Sequence, residues 1–249
     1  MKVKAILLAG GHGSRLYPFT KYTQKTLLPL YNRPVIDYAL GTIRRAGITD
    51  ITIVSNQFIG QITKHVGAGL PDERIHYVLE EEPTGVADAL NLARAYNEDC
   101  RLLIYFSDNI TTVELTEEVG TFSNAEHPPG CILLARQEAN PQAFGVAVLG
   151  QNGEVVDIVE KPENPPSDLA IGGIYMFDEA FWSFLDLGVE EKGENFSITD
   201  VNRRYIQQGM AKLITVGEDT WVDCGTPDSL LHASNMAKDG KLNPNPFRT

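Results

Sequence analysis

In the first half of the chain, short apolar runs alternate with longer segments of helical spacing. Residues 3–8 (VKAILL), 51–55 (ITIVS), 75–79 and 102–106 (LLIYF) are aliphatic, β-branched or aromatic and read as buried strands. Between them, residues 34–46, 61–66 and 85–95 (GVADALNLARA) place apolar side chains three and four apart, as an amphipathic helix does, and Gly47 closes the first of these. Strand, helix, strand, helix in this rhythm predicts right-handed βαβ units around a mostly parallel sheet.

The second half changes character. Residues 131–135, 146–149, 155–160, 174–177, 213–216 and 220–222 read as strands, and residues 179–185, 198–208 and 227–238 as helices. Turn residues, notably Gly150 to Gly153 (GQNG), replace helices as connectors. The expectation is a single domain, 1–249, with a nucleotide-binding half (about 1–125) and a more mixed half (about 126–249) for a second substrate. Ligands of open α/β sheets lie outside the carboxyl ends of the strands, so the candidate chemistry is sought there.

Composition narrows the function. With 249 residues, 43% of them hydrophobic and 22% charged, the chain buries a core without help from a metal or disulfide. Cys100, Cys131 and Cys224 lack CxxC spacing, which reads as buried, reduced thiols in a cytoplasmic setting. A formal net charge of -12 argues against a general binder of nucleic acid or of an anionic membrane. It leaves room for a small phosphorylated substrate held by a few local cations. The apolar stretch 5–9 is too short for a signal-peptide core, and no segment is long enough to span a membrane.

Gly10-Gly11-His12-Gly13-Ser14-Arg15 follows the first strand. Such a loop either turns backbone N–H groups toward phosphate oxygens or simply joins a strand to a helix. It is not a Walker A, having no Lys-Ser/Thr after its last glycine, and Ser14-Arg15-Leu16 departs from the dinucleotide fingerprint. Arg15 offers a planar donor fork suited to phosphate. Lys25 stands among uncharged residues before Leu27-Leu28-Pro29, whereas Lys21 reads as a solvated loop lysine. Asp108 and Asp223 each stand at a strand end, where an Asp either caps a turn or offers the hard oxygen that Mg²⁺ prefers.

The order G-G-x-G-S-R-L-x-P-x-T, K-x-L-L-P, R-P (Gly10 to Leu16, Pro18, Thr20, Lys25, Leu27 to Pro29, Arg33-Pro34) resembles the signature of the sugar-1-phosphate nucleotidylyltransferases. Gly145, Glu160-Lys161-Pro162, Gly172-Gly173-Ile174-Tyr175, Ile198 to Asn202 (ITDVN) and Trp221 to Thr226 (WVDCGT) extend the resemblance over almost the whole chain. It is greatest toward the branch that joins dTTP to glucose 1-phosphate.

The resemblance implies an α/β three-layer sandwich with a Rossmann-like, mostly parallel or mixed sheet, of the nucleotide-diphospho-sugar transferase type. It also implies Mg²⁺ dependence and in-line displacement of pyrophosphate by the sugar phosphate. It makes Arg15, Lys25 and Lys161 the catalytic cations and Asp108 and Asp223 the metal ligands. Leu8, Ala9, Gly10, Gly11, Gly13, Ser14, Arg15, Lys25, Glu80 and Gly85 would contact the nucleotide, with dTTP favoured. Asn109, Gly145, Glu160, Lys161 and Gly172 would contact the hexose 1-phosphate. The nucleophile is already an anion, so no general base is required and His12 reads as solvated or backbone-bonded.

Two departures matter. Gly172 stands where thymidylyltransferases commonly carry a small hydroxyl residue, and Glu80 where they commonly carry Gln. An amide matches the donor and acceptor of thymine or uracil; an ionised carboxylate only accepts, which suits guanine or cytosine donors. A Glu80 facing solvent, with backbone groups reading the base, would reconcile the two. UTP, GTP or CTP as nucleotide, a choline-phosphate or alditol-phosphate substrate, and a catalytically dead sugar-nucleotide sensor remain alternatives. The chain ends in the polar tail NPNPFRT without the further helices of longer thymidylyltransferases, so a monomer or homodimer is expected.

Overall fold

The computed structural model describes residues 1–126, 128–217 and 221–242. Thr220, the expected start of the last strand, and the tail NPNPFRT lie outside them. The chain opens with β1 (Val3–Leu8), passes through three single 3₁₀ turns, and forms the two-residue strands β2 (Pro29–Leu30) and β3 (Arg33–Pro34). Then come α1 (Val35–Arg45), β4 (Asp50–Ser55), α2 (Ile59–Val66), β5 (Arg74–Leu79), α3 (Val86–Asn97) and β6 (Arg101–Phe106). The middle comprises β7 (Asn109–Thr111), α4 (Thr116–Asn124), β8 (Cys131–Gln137), β9 (Gly145–Leu149), β10 (Val155–Glu160) and β11 (Leu169–Phe177). The remainder is α5 (Phe181–Lys192), α6 (Ile198–Gln207), β12 (Ala211–Val216), β13 (Trp221–Asp223) and α7 (Pro227–Lys238).

Nine strands form one mixed sheet in the order β10-β9-β11-β6-β1-β4-β5, with β8 also paired to β11 and β12 to β8. The expected βαβ half is parallel throughout: β6, β1, β4 and β5 run the same way. The sheet reverses at β11, which is antiparallel to β6, β8 and β9.

Alternation along each strand sorts side chains into two cores, one on each face. Ala5 and Leu7 of β1, Leu103 and Tyr105 of β6, and Ile174 and Met176 of β11 pack with Ile36, Leu40, Ile62 and Phe122 of α1, α2 and α4. Ile6 and Leu8, Leu102 and Ile104, and Tyr175 and Phe177 face the other way, against Leu90, Phe181, Leu185, Val201 and Tyr205 of α3, α5 and α6. Helix, sheet, helix makes three layers. A smaller cluster seats α7 through Ala233 and Met236 on Leu30, Tyr38 and Val222. All three cysteines are buried and free. No helix among the described residues is long and apolar enough to cross a membrane.

Two expectations are corrected, and one helix was not foreseen. The strand expected at 174–177 begins at Leu169, because its pairing with β8 continues on the far side of an irregularity between Ile171 and Tyr175 that contains Gly172 and Gly173. The helix expected at 179–185 starts at Phe181 and runs to Lys192. Asp178 delays its start by accepting from the Ala180 and Phe181 N–H groups (3.0 and 3.2 Å). Helix α4, not anticipated, buries only Val119 and Phe122, too little apolar surface to mark a period.

Phe177 is fully buried, 4.8 Å from the Phe181 ring and 5.5 Å from that of Tyr205. Phe177→Ala should cost about 3–5 kcal/mol. Urea unfolding should show a lower midpoint with an unchanged slope; an unaltered midpoint would mean that this aromatic layer does not hold α5 and α6 to the sheet.

Candidate active site

The Gly-rich loop is held by its carbonyls. Ala9 N–H continues the β1–β4 ladder to Val54 O (2.8 Å). Ala9 O accepts from the Gln24 side-chain amide and from Ser55 Oγ (3.1 Å), and Gly10 O accepts from Asn56 Nδ2 (2.8 Å). Gln24, Ser55 and Asn56 are themselves buried. Gly13 has φ +63°, and its carbonyl accepts from Thr20 Oγ1 (2.7 Å) and Leu16 N–H (2.9 Å). No backbone N–H from Gly10 to Arg15 donates to an acceptor among the described residues. Carbonyls tied inward and amides left unengaged make an anion cradle.

The carboxylates stand beside it. Asp108 lies between β6 and β7, and β7 pairs with β13 so that Asn109 opposes Asp223. Cys224 N–H donates to Asp108 O (2.8 Å), closing this miniature ladder. Lys25 Nζ donates to Asp108 Oδ2, and Asn109 Nδ2 to Asp108 Oδ1 (2.9 Å). Asn109 is fixed in turn: its Oδ1 accepts from Trp221 Nε1 (2.8 Å) and Gly173 N–H (3.2 Å).

Asp223 Oδ1 is buried without a hydrogen-bond partner. Burial and then the Asp108 charge push the Asp223 carboxyl above its usual range, while Lys25, Arg15 and Arg136 pull the other way. An orphaned carboxylate oxygen next to a second carboxylate fits a hard divalent cation such as Mg²⁺. Among the described residues no third His, Cys, Asp or Glu joins the pair. Other ligand positions would therefore fall to phosphate oxygens and water, the usual habit of Mg²⁺.

Two cavities meet at Asp108, Phe106 and Val86. The first, about 290 Å³, is lined by Leu8, Gly10, Gly11, Lys25, Glu80, Gly85 and Asp108 together with Pro83 and Ala89. Glu80 is only 4% exposed, which removes the solvent-facing reading that would have reconciled it with a thymine site. The second cavity, about 340 Å³, gathers Asn109, Gly145, Glu160, Lys161, Gly172 and Asp223. Thr199, at the start of α6, donates to Glu160 Oε2 (2.7 Å), and Lys161 Nζ lies 3.6 Å from Glu160 Oε1. Lys161 has φ +44°, an uncommon conformation for a non-glycine residue, anchored by its N–H on Phe144 O (2.9 Å). That turn sets an exposed ammonium at the cavity rim. At Gly172 a Cβ would collide with the Trp221 ring, so the departure from a hydroxyl residue is enforced by packing.

Ala9, Gly13, Ser14 and Arg15 lie outside both cavities. Arg15 is exposed, yet its guanidinium packs on Gly225, where a Cβ would stand 2.5 Å from Nη2, and its charge reaches Asp223. His12 is exposed. Sequence reasoning missed Gln24 and Asn56, uncharged residues that act only by folding back on the loop. It also missed Arg136, a buried cation in the second cavity. Arg136 pairs with Glu138 (2.6 Å) and lies over the Phe144 ring (5.2 Å). A lone arginine near a strand end gives no sequence signal; Thr199 lay within the ITDVN motif.

Residues 4–240 match the family profile described as nucleotidyl transferase. A low-salt glycan biosynthesis nucleotidyltransferase, Agl11, of Haloferax volcanii is 34% identical over 96% of this chain and 67% of its own length. The glucose-1-phosphate thymidylyltransferase of Streptomyces antibioticus is 34% identical over 93% of this chain. The chain spans 65% of that protein's length. The thymidylyltransferase of Xanthomonas campestris is 36% identical over 94% of this chain and 80% of its own. Among solved structures, a candidate glucose-1-phosphate thymidylyltransferase from Bacillus anthracis in complex with sucrose superposes with a TM-score of 0.87, 32% identity and 96% coverage of both chains. A UDP-glucose pyrophosphorylase complexed with UDP-glucose shares the fold (TM-score 0.82, 21% identity, 96% of this chain and 100% of that one).

The raised Asp223 carboxyl gives a test with a fixed sign. A carboxyl whose folded pKa lies above the unfolded one loses stability as pH rises past the unfolded value. Asp223→Asn should therefore raise the melting temperature of the metal-free protein at neutral pH. Added Mg²⁺ with a triphosphate should stabilise the wild type and have little effect on the variant. Equal stabilisation of both proteins in a thermal-shift titration would remove Asp223 from the metal site.

Proposed function

The chain belongs to the nucleotidyl transferase family, and from that premise we propose that it transfers the nucleotidyl group of dTTP to a hexose 1-phosphate, glucose 1-phosphate foremost. The products are a nucleotide sugar and pyrophosphate. The observation that carries this reading is the junction at Asp108. An amide cradle with Lys25 opens on one side of it, and a pocket holding Glu160 and Thr199, with Lys161 at its rim, opens on the other.

In this reading the triphosphate lies along the unengaged amides of residues 10–15, with Lys25 and Arg15 neutralising its oxygens. The hexose enters the second cavity, where Glu160, oriented by Thr199, accepts from sugar hydroxyls. Lys161 holds the 1-phosphate. A phosphate oxygen forms a bond to the α-phosphorus as the bond from that phosphorus to the β-bridging oxygen breaks, and pyrophosphate leaves with the electron pair. The nucleophile is an anion near neutral pH, so no proton needs removal, and positioning with charge neutralisation carries the catalysis. Asp108 and Asp223 would hold Mg²⁺, which offsets triphosphate charge and orients the α-phosphorus. Asn109, whose side-chain amide braces Asp108, positions that carboxylate. The cysteine usage supports a cytoplasmic setting.

Pyrophosphate release should be measured with Mg²⁺ across a panel of triphosphates and hexose 1-phosphates. The highest kcat/KM is expected for dTTP with glucose 1-phosphate, with no release once the cation is chelated. No release with any pair would overturn the enzyme reading in favour of a sugar-nucleotide sensor. Lys25→Ala and Lys161→Ala should each lower kcat/KM by about 10²- to 10³-fold. Near wild-type turnover in both would refute their roles.

A further inference from the structure

Of the two carboxyls lining the first cavity, Asp108 is bonded to Lys25 and Asn109. The Glu80 carboxyl makes no hydrogen bond among the described residues, although the residue is 96% buried (4% exposed). Its backbone N–H is anchored on Ser55 O (2.8 Å). The side chain folds over Gly10, where a Cβ would collide with Oε2. An unpartnered polar tip beside the apolar wall of Leu8, Val86, Ala89 and Phe106, in a cavity that Lys25 and Asp108 also line, is placed to meet the edge of a flat ligand.

The charges around Glu80 are few. Asp88 faces it from α3 and, after burial, pushes its carboxyl above the ordinary glutamate range. Lys25, on the same cavity wall as Gly11, is committed to Asp108. Glu81 and Glu82, its own neighbours, line a separate hollow with His12. The loop Gly10-Gly11 and the end of β4, Ser55-Asn56, contribute no charge. No charged side chain nearby favours the anion, and a bound base would strip the remaining water.

The chemistry of the two forms differs. A carboxylic acid presents one donor and one acceptor side by side, as an amide does; a carboxylate presents acceptors only. Thymine and uracil show an N3–H donor beside the O4 acceptor. Guanine shows two donors, N1–H and N2–H. A buried carboxylate against O4 would set lone pair against lone pair.

We propose that Glu80 selects the base through its proton, holding thymine or uracil as the acid and guanine as the carboxylate. The acid donates its O–H to O4 and accepts from N3–H; the carboxylate accepts from N1–H and N2–H. This deepens, and rests on, the nucleotidyl-transfer reading.

The test is the ratio of kcat/KM for dTTP to that for GTP, measured from about pH 5.5 to 8.5. Ionisation of the sugar phosphate and of the triphosphate cancels in this ratio. The ratio should fall as pH rises, by about tenfold per pH unit throughout the range if each base is held by one form only. In Glu80→Gln the ratio should be flat and favour dTTP throughout. A flat ratio in the wild type, or a pH-dependent ratio that survives in Glu80→Gln, would overturn the proposal. If neither triphosphate supports pyrophosphate release, the failure lies with the activity. The ratio of dissociation constants for dTTP and GTP over the same range then decides the role of Glu80. The same fall is expected there, and a flat ratio, or no binding of either nucleotide, would overturn it.

Discussion

Two carboxylates, Asp108 and Asp223, are held side by side at the edge of the core, and like charges in that position must be neutralised. The surroundings are arranged to do this. Lys25 bonds Asp108 directly, while Arg15 and Arg136 approach Asp223 from the loop side and the sheet side. One Asp223 oxygen is still left without a partner. The protein alone therefore under-neutralises the pair, and in the proposed reading a divalent cation with the phosphates it carries would complete the balance. In the proposed reading, a chain of net charge -12 would hold anionic substrates through these few local cations.

Backbone topology sets that pair in place. The parallel half ends each strand on the same edge, which delivers the Gly-rich loop after β1 and Asp108 after β6. The sheet then reverses at β11, and the antiparallel half brings Gly145, Glu160 and Gly172 to the other side of Asp108. Pairing of β13 with β7 returns the chain to lay Asp223 beside Asn109. Trp221 locks the arrangement: its indole N–H holds Asn109, and its ring lies so close to Gly172 that no side chain fits there. Shape in the second cavity and orientation of the first carboxylate thus depend on one aromatic residue.

Much of this was legible in the sequence, for identifiable reasons. Strands β1, β4 and β6 are buried on both faces and read as unbroken apolar runs, so their boundaries emerged to within a residue. The Gly-rich loop, Lys25, Asp108, Glu160, Lys161 and Asp223 sit in contiguous motifs, and the fold brings most of them to the two adjoining cavities. What escaped acts across sequence distance. Gln24 and Asn56 matter because they bind the carbonyls of Ala9 and Gly10. Arg136 matters because β8 carries it into the second cavity. The solvent-facing Glu80 failed because the charge of a residue says nothing about which side of a strand end it leaves; here it turns inward over a glycine.

The central claim is that one divalent cation, shared by Asp108 and Asp223, meets a triphosphate lying on the amides of residues 10–15. A crystal structure with Mn²⁺ and a non-hydrolysable triphosphate tests it most directly, because anomalous scattering locates the ion independently of the nucleotide. The account predicts an ion within coordination distance of both carboxylates, with phosphate oxygens on the loop amides and on Lys25. An ion elsewhere, or a triphosphate bound away from that loop, would contradict it.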